Sequence, residues 1–151
     1  MSTDRIEKTV FLRAPRSRVW RAIATPEEFG AWFGVNLEGA FAPGKQVSGR
    51  ITIKGYENVP MEITIDRVEP ERLISFRWHP FAVEGSRDYG AEPTTLVAFE
   101  LEQRRDGVML TVTESGFDDL PQARRDPAFR ANEQGWAKEM ELVGKYVDQR
   151  H

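Results

Sequence analysis

Residues suited to covalent or metal chemistry are scarce in this sequence. It contains two histidines, His79 and His151, and no cysteine, so thiolate nucleophiles, thiolate metal sites and disulfides are excluded. The histidines are not paired at a spacing typical of metal ligands. We therefore predict neither a metal site nor a cofactor.

Ser115 is the serine that stands closest to an acid, in the run Thr113-Glu114-Ser115-Gly116. A nucleophile elbow has a glycine two residues before its serine, and Thr113 stands there instead. The three glycines of residues 34–44 also lack the spacing of a dinucleotide-binding loop. We assign no catalytic residue from these patterns.

Glu114 is the polar residue with the most functional potential. If Leu110 and Val112 point into the protein, the two-residue period of a strand turns Glu114 inward as well. A buried carboxylate needs a partner. Glu114 is therefore part of a structural salt bridge, a ligand anchor or acid–base group, or a residue at a strand end that is exposed to solvent. An enzyme of the cyclase, hydrolase or isomerase type would use Glu114 with help from His79 or Tyr89.

Large apolar side chains are the other feature that could define a site. Four tryptophans and nine phenylalanines support two interpretations: a dry, close-packed core, or the walls of a pocket with few polar anchors. On the second interpretation, the pocket is lined by Trp32, Phe33, Phe41, Met61, Ile63, Phe76, Trp78, Phe99, Glu114, Phe129, Asn132, Trp136 and Met140.

The strands that must position these side chains follow from alternating apolar residues. The alternation predicts strands at 6–12, 35–41, 47–53, 59–66, 74–79, 97–101 and 109–113. The connections between them are short, and Asp106-Gly107 is typical of a two-residue hairpin. Neighbouring strands should therefore run antiparallel.

Three helices complete the prediction. Pro15 begins one short helix, and a capping box at Thr25-Pro26-Glu27-Glu28 begins a second. Asp126-Pro127 should begin a long C-terminal helix. Its apolar stripe consists of Phe129, Trp136, Met140, Val143 and Val147.

These elements predict a single α+β domain over residues 1–151. An antiparallel sheet of six to seven strands twists and curls, and its concave face needs a cover. The C-terminal helix is the one long amphipathic element that can supply it. The expected architecture is a helix-grip fold, a curved sheet around a long helix, with two short helices after the first strand.

Several runs carry a resemblance to a known family. They are residues 14–20 (APRSRVW), 28–33 (EFGAWF), 68–73 (VEPERL), 76–78 (FRW), 111–117 (TVTESGF) and 132–136 (NEQGW). Together they resemble the proteins similar to the C-terminal domain of the activator of the ninety-kilodalton heat-shock chaperone's ATPase. That family belongs to the START-like superfamily, which includes polyketide cyclase-like and Bet v-type proteins.

The resemblance implies a helix-grip domain with a hydrophobic cavity between the sheet and the C-terminal helix. It implies a ligand such as a lipid, a sterol, a polyketide or another aromatic metabolite, and it transfers no catalytic residue. The eukaryotic activator has a further N-terminal domain, whereas this sequence starts directly with the helix-grip domain. We therefore expect no chaperone partner.

Three functions remain under comparison: binding of a small apolar molecule, the Glu114-dependent enzyme, and a protein-interaction or chaperone-regulating domain with Phe81 and Tyr89 in an exposed patch. A homodimer is compatible with each. The net charge of −3 offers no basic face for nucleic acid. No apolar run has membrane-spanning length, and the N-terminus lacks a signal pattern, so we expect a cytoplasmic protein without integral membrane association.

Overall fold

A computed structural model describes residues 4–81 and 90–148 of the chain. Its elements, in chain order, are β1 (Arg5–Leu12), α1 (Arg16–Ala24), α2 (Pro26–Phe33), β2 (Val35–Glu38), β3 (Gln46–Ile51), β4 (Pro60–Glu69), β5 (Leu73–Trp78), β6 (Thr95–Arg104), β7 (Gly107–Ser115), a 3-10 turn (Phe117–Asp119) and α3 (Gln122–Asp148).

The strands form one antiparallel sheet in the order β1-β7-β6-β5-β4-β3-β2. Each strand from β2 to β7 pairs with its neighbour in sequence, and β1 closes the far edge by pairing with β7. The 27-residue helix α3 packs against β1 and α2. This arrangement confirms the predicted α+β helix-grip fold, with seven strands and two short helices after the first.

The period of two expected for half-buried strands is clearest in β4. Met61, Ile63 and Ile65 are buried, while Glu62 and Thr64 between them are exposed. The same alternation runs through β6 and β7, so the sheet presents one apolar face to the helices. The core lies between that face and α1, α2 and α3.

Helix α3 begins four residues before the predicted start at Asp126. The backbone N–H groups of Arg124 and Arg125 donate to the carbonyl of Pro121, so Pro127 lies inside the helix. Proline there removes one early hydrogen bond. The side chain of Arg124 holds the first turn in place through contacts with the connection that follows β5.

The predicted capping box at Thr25 does not form. Thr25 ends α1 and precedes α2 at once, and its hydroxyl donates backwards to the Arg21 carbonyl. Glu28 accepts a hydrogen bond from Arg18 of α1 instead of reaching the cap. Because α2 follows α1 directly, the side chains of Thr25 and Glu28 bind residues of α1 instead of capping α2.

The strand predicted at 35–41 is shorter than expected, because β2 ends at Glu38. Gly39 follows with a φ of 121°, a conformation outside the strand region. The chain therefore turns before Phe41, whose ring packs edge-on against Phe29 of α2.

Candidate functional site

Glu114 lies on the apolar face of the sheet and is 0% exposed. Strand β7 directs it inward, as the alternation with Leu110 and Val112 predicts. Its cross-strand neighbours are Ile6 on β1 and Val97 on β6. The side chain is thus a carboxylate set among apolar residues.

Four neutral donors surround this carboxylate. Trp78 Nε1 and Thr95 Oγ1 donate to Oε2 at 2.7 and 2.5 Å. Asn132 Nδ2 and Trp136 Nε1 donate to Oε1 at 2.9 and 2.8 Å. A carboxylate offers about four acceptor positions, so hydrogen bonds occupy the full capacity of Glu114. None of these four donors carries a charge, so the salt bridge considered from the sequence as one role of Glu114 does not form among residues 4–81 and 90–148.

The donors belong to three parts of the fold. Trp78 ends β5, Thr95 begins β6, and Asn132 and Trp136 lie one turn apart on α3. Glu114 on β7 therefore joins three neighbouring strands to the helix that covers them. We name this group of five residues the Glu114 cluster.

Aromatic rings pack around the Glu114 cluster. Trp78 and Trp136 have ring centroids 5.9 Å apart. Phe33 of α2 lies 6.1 Å from Trp78 and 5.9 Å from Trp136. Phe99 of β6 lies 5.7 Å from Trp136. These four aromatic side chains, which we name the ring cluster, therefore pack α3 and α2 against the sheet.

The predicted lining residues fall into two groups by exposure. Nine are buried: Trp32, Phe33, Met61, Ile63, Phe76, Phe99, Glu114, Trp136 and Met140. Four are only half-buried: Phe41, Trp78, Phe129 and Asn132. The half-buried members are the ones that a molecule from solvent would meet first.

Phe129 lies apart from the main ring cluster. Its ring packs edge-on against Phe117 at 5.2 Å, beyond the end of β7. It is nevertheless three residues before Asn132 on α3, which places both side chains near the same helical face. Trp78 and Asn132 meet at Glu114, and we name these two residues together with Phe129, all three half-buried, the rim.

Two residues at the site were missed from the sequence. Phe29 contacts five other rings and is 1% exposed; its place three and four residues before Trp32 and Phe33 was a usable signal. Thr95 was missed because a hydroxyl at the start of a strand has no distinctive pattern.

The connection after β5 crosses α3 at Arg124. Arg124 Nε lies 2.9 Å from Glu92 Oε1, and both side chains are nearly buried. Its other nitrogens donate to the carbonyls of Pro80 and Phe81. Phe81 is half-buried and packs on the core. Tyr89, proposed as its partner in a patch and as an aid to Glu114, lies outside the described residues.

His79 does not assist Glu114 in this structure. Its Nε2 lies 3.0 Å from the carbonyl oxygen of Glu92. His79 is therefore not placed to exchange a proton with Glu114.

Glu139 is a second buried acid, on the same face of α3 as Trp136 and Val143. Burial raises the pKa of Glu139 to about 8, and the nearby Lys138 charge opposes this rise. Its Oε1 has no hydrogen-bond partner in the described part of the chain. One oxygen of this carboxyl group is thus buried without a hydrogen bond from the described residues.

Within residues 4–81 and 90–148, no group of three or more histidine, cysteine, aspartate or glutamate side chains could hold a metal ion. No helix in these ranges is long and apolar enough to cross a membrane.

Comparison with protein families gives a match over most of the chain. The model of the family described as "Activator of Hsp90 ATPase homolog 1-like protein" matches residues 13–148. No curated protein matches the chain.

Solved structures share the fold at low sequence identity. Protein MLL2253 of Mesorhizobium loti is 19% identical, with a TM-score of 0.77, over 97% of this chain and 98% of its own. CalU16 of Micromonospora echinospora is 21% identical, with a TM-score of 0.65, over 95% and 75%. DynU16, from the dynemicin biosynthetic locus, is 23% identical, with a TM-score of 0.73, over 96% of this chain and 47% of its own.

Proposed function

The chain belongs to the family of Activator of Hsp90 ATPase homolog 1-like proteins, and we propose that it binds a small, neutral, predominantly aromatic molecule between the sheet and α3. The ligand enters at the half-buried rim of Trp78, Phe129 and Asn132. It is held by contact with aromatic faces, and the domain performs no chemistry on it.

The observation that carries the proposal is the state of Trp78. Its indole N–H is bound inside the protein by Glu114, while its ring is half-buried and touches Phe33 and Trp136. The polar edge is therefore satisfied, and the exposed part of the ring is apolar. An aromatic molecule can stack on such a surface without leaving a polar group unpaired.

Asn132 supports the same choice of ligand. Its amide nitrogen is engaged by Glu114, and that carboxylate has no free acceptor position. A charged ligand would find no ion partner in the Glu114 cluster, and its desolvation would oppose binding. The site therefore favours a neutral, apolar ligand.

The enclosed part of the site is closely packed, with Trp136 in direct contact with Trp78 and Phe99. A ligand that penetrates beyond the rim must move these rings. We propose that the ligand stacks on the exposed part of the Trp78 ring and leaves the hydrogen bond between Trp78 and Glu114 in place. A lipid, a sterol or a polyketide would differ in how much of its surface can stack there.

The Glu114-dependent enzyme is not favoured by this geometry. A general acid or base must be within hydrogen-bond reach of the substrate, and both oxygens of Glu114 already accept two hydrogen bonds each. The occurrence of DynU16 in a biosynthetic locus is consistent with a small-molecule ligand and does not require catalysis here.

A ligand screen tests the proposal. The purified protein is examined by native mass spectrometry and thermal shift against neutral aromatic compounds, sterols and lipids. A ligand at 100 times its dissociation constant should stabilise the fold by about 2.7 kcal/mol.

Trp78→Leu should weaken binding of any hit by about tenfold, through loss of the aromatic contact. The matched control is Trp20→Leu, because Trp20 is also half-buried but lies on α1 outside the ring cluster. An equal effect of both substitutions, or the absence of any hit, would contradict the proposal.

A further inference from the structure

A cleft of about 440 Å³ opens near the C-terminal end of α3, whereas Phe129 and Asn132 of the rim lie in its first half. It lies where the start of α1 meets the end of α3. Its wall includes Arg13, Ser17, Arg18, Arg21 and Asp148. None of these residues belongs to the Glu114 cluster or to the ring cluster around it.

The cleft is positively charged. Three arginines line it against one carboxylate, that of Asp148. Arg13 has no ion pair among the described residues; its guanidinium lies 5.6 Å from the centre of the Phe11 ring. The side chain of Arg21 is 56% exposed, and its Nε lies 3.5 Å from Glu28 Oε2. Glu28 also forms an ion pair with Arg18. A net positive charge therefore remains after Glu28 and Asp148 are counted.

Arg18 is the buried cation of the wall, at 8% exposure. Its Nη1 donates to Glu28 Oε1 at 2.6 Å, and its guanidinium lies 5.0 Å from the Tyr146 ring centre. Its Nε and Nη2 are buried and have no partner in the described part of the chain. These two donors form the edge with which arginine binds a carboxylate or phosphate in bidentate fashion.

The N-terminus of α1 adds backbone donors to the same place. The first N–H groups that bond within the turn belong to Arg18 and Val19, both to the Pro15 carbonyl. The N–H groups of Arg16 and Ser17 come before these in the helix and make no backbone hydrogen bond within residues 4–81 and 90–148. The positive end of the helix dipole therefore faces the cleft at Ser17.

We propose that this cleft binds a phosphate-type oxyanion, carried by a phosphorylated small molecule or by a lipid headgroup. Arg13 and the Ser17 amide contact the oxyanion directly, and Arg18 adds a buried positive charge whose Nε and Nη2 have no partner among the described residues. Asp148 repels the anion and limits the affinity. The site is separate from the apolar ligand site and does not depend on it.

The first test is a titration of the whole protein with inorganic phosphate, followed by amide NMR shifts and calorimetry. We expect saturable shifts centred on Ser17 that weaken as potassium chloride is added. Arg13→Ala should lower the affinity by about tenfold. Asp148→Asn should raise it by a few fold, because a repulsive charge is removed.

Arg16→Ala is the matched control. Arg16 lies between Arg13 and Arg18 in the sequence. It forms an ion pair with Glu71 and does not line the cleft. It should leave the phosphate affinity within about twofold, the size of a screened surface charge effect. Equal weakening by Arg13→Ala and Arg16→Ala would overturn the proposal, since it would show only non-specific attraction.

A second arm separates two sources of the phosphate group. Vesicles of phosphatidylcholine with and without phosphatidic acid are sedimented with the protein. Binding of inorganic phosphate without vesicle retention supports a free phosphorylated molecule. Retention that requires phosphatidic acid and Arg13 supports the same oxyanion site with a lipid headgroup. Failure of both phosphate and vesicles to bind would overturn the proposal.

Discussion

The indole N–H groups of Trp78 and Trp136 bind the two different oxygens of one buried carboxylate, that of Glu114. Their rings lie 5.9 Å apart at an angle of 31°. The pair joins the end of β5 to the middle of α3 across the interior. A carboxylate at 0% exposure whose four hydrogen-bond donors in the described ranges are all neutral is tolerated because every acceptor position is used.

Glutamine at position 114 should destabilise the fold although it has the same shape. In either amide orientation its NH2 group faces one indole N–H, and an indole nitrogen can only donate. The hydroxyl of Thr95 can turn to accept, but Trp78 and Trp136 cannot. We expect a loss of about 2 kcal/mol in the free energy of unfolding by chemical denaturation.

Glu114→Ala should cost more, about 3 kcal/mol or above, because four donors lose their acceptor. Glu62→Gln on β4 provides the control, since Glu62 is exposed and its replacement should change stability by less than about 0.5 kcal/mol. A Glu114→Gln variant as stable as the wild type would show that the hydrogen bonds are not all present in solution.

Glu139 should make the stability of the fold depend on pH. Its pKa is raised by burial from 4.5 to about 8, so the folded state holds a proton that the unfolded state has released. The contribution of Glu139 to stability should therefore be greatest below about pH 4.5. It should fall as the pH rises towards 8. The fall attributable to Glu139 is on the order of 4 kcal/mol.

Glu139→Gln removes the titrating group and should flatten that dependence. The variant should match the wild type near about pH 4.5 and exceed it in stability near about pH 8. Glu141→Gln, an exposed change two residues along α3, should leave the pH profile as it is. Parallel profiles of the wild type and Glu139→Gln would contradict the burial of this carboxyl.

Arg124 should stabilise the packing of the post-β5 connection on α3. Arg124→Ala removes the 2.9 Å ion pair with Glu92 and the hydrogen bonds that Arg124 donates to the carbonyls of Pro80 and Phe81. Loss of one member of a buried pair typically costs about 3 kcal/mol or more. Hydrogen exchange at Phe81 and in the first turns of α3 should quicken accordingly.

The matched change is Arg130→Ala, which removes an exposed arginine from the same helix. It should alter neither stability nor exchange beyond about 0.5 kcal/mol. If Arg124→Ala behaves in the same way, the contacts of Arg124 with the connection after β5 contribute nothing measurable to stability.

Two glycines in helices should respond to alanine in opposite directions. At Gly135 a Cβ would meet nothing within 4 Å, so Gly135→Ala should stabilise α3 by roughly 0.5 kcal/mol. At Gly30 a Cβ would lie 2.1 Å from the Val35 carbonyl oxygen. Gly30→Ala must therefore displace backbone and should cost about 2 kcal/mol. Equal melting temperatures for the two variants would contradict the packing of α2 on β2.

The fold could be predicted because most of its strands, β4, β6 and β7 above all, carry a two-residue period. Met61, Ile63 and Ile65 are a clear example, and each of them is buried. The errors arose where local signals had competing tertiary partners. Asp126-Pro127 has the chemistry of a helix start, yet Arg124 anchors an earlier turn. Thr25 and Glu28 have the chemistry of a capping box, yet each binds α1.

The Glu114 site could be located from sequence but not described. Alternation alone turned Glu114 inward, as the structure confirms. Its partners could not be deduced, because Trp78, Thr95 and Trp136 come from strands and a helix far apart in sequence. Their convergence depends on sheet order and on the position of α3, and neither is encoded in local periodicity.

The four indole N–H signals provide the most direct test of ligand binding at the rim. Trp78 and Trp136 donate to Glu114, Trp32 donates to the Ala22 carbonyl, and Trp20 lies on α1. Nitrogen-15 spectra are recorded during titration with the best neutral aromatic hit, with signals assigned by single tryptophan-to-phenylalanine variants. Binding at the rim predicts large shifts for Trp78 and Trp136 and small shifts for Trp20 and Trp32. Saturable binding that moves Trp20 while Trp78 and Trp136 stay fixed would contradict it.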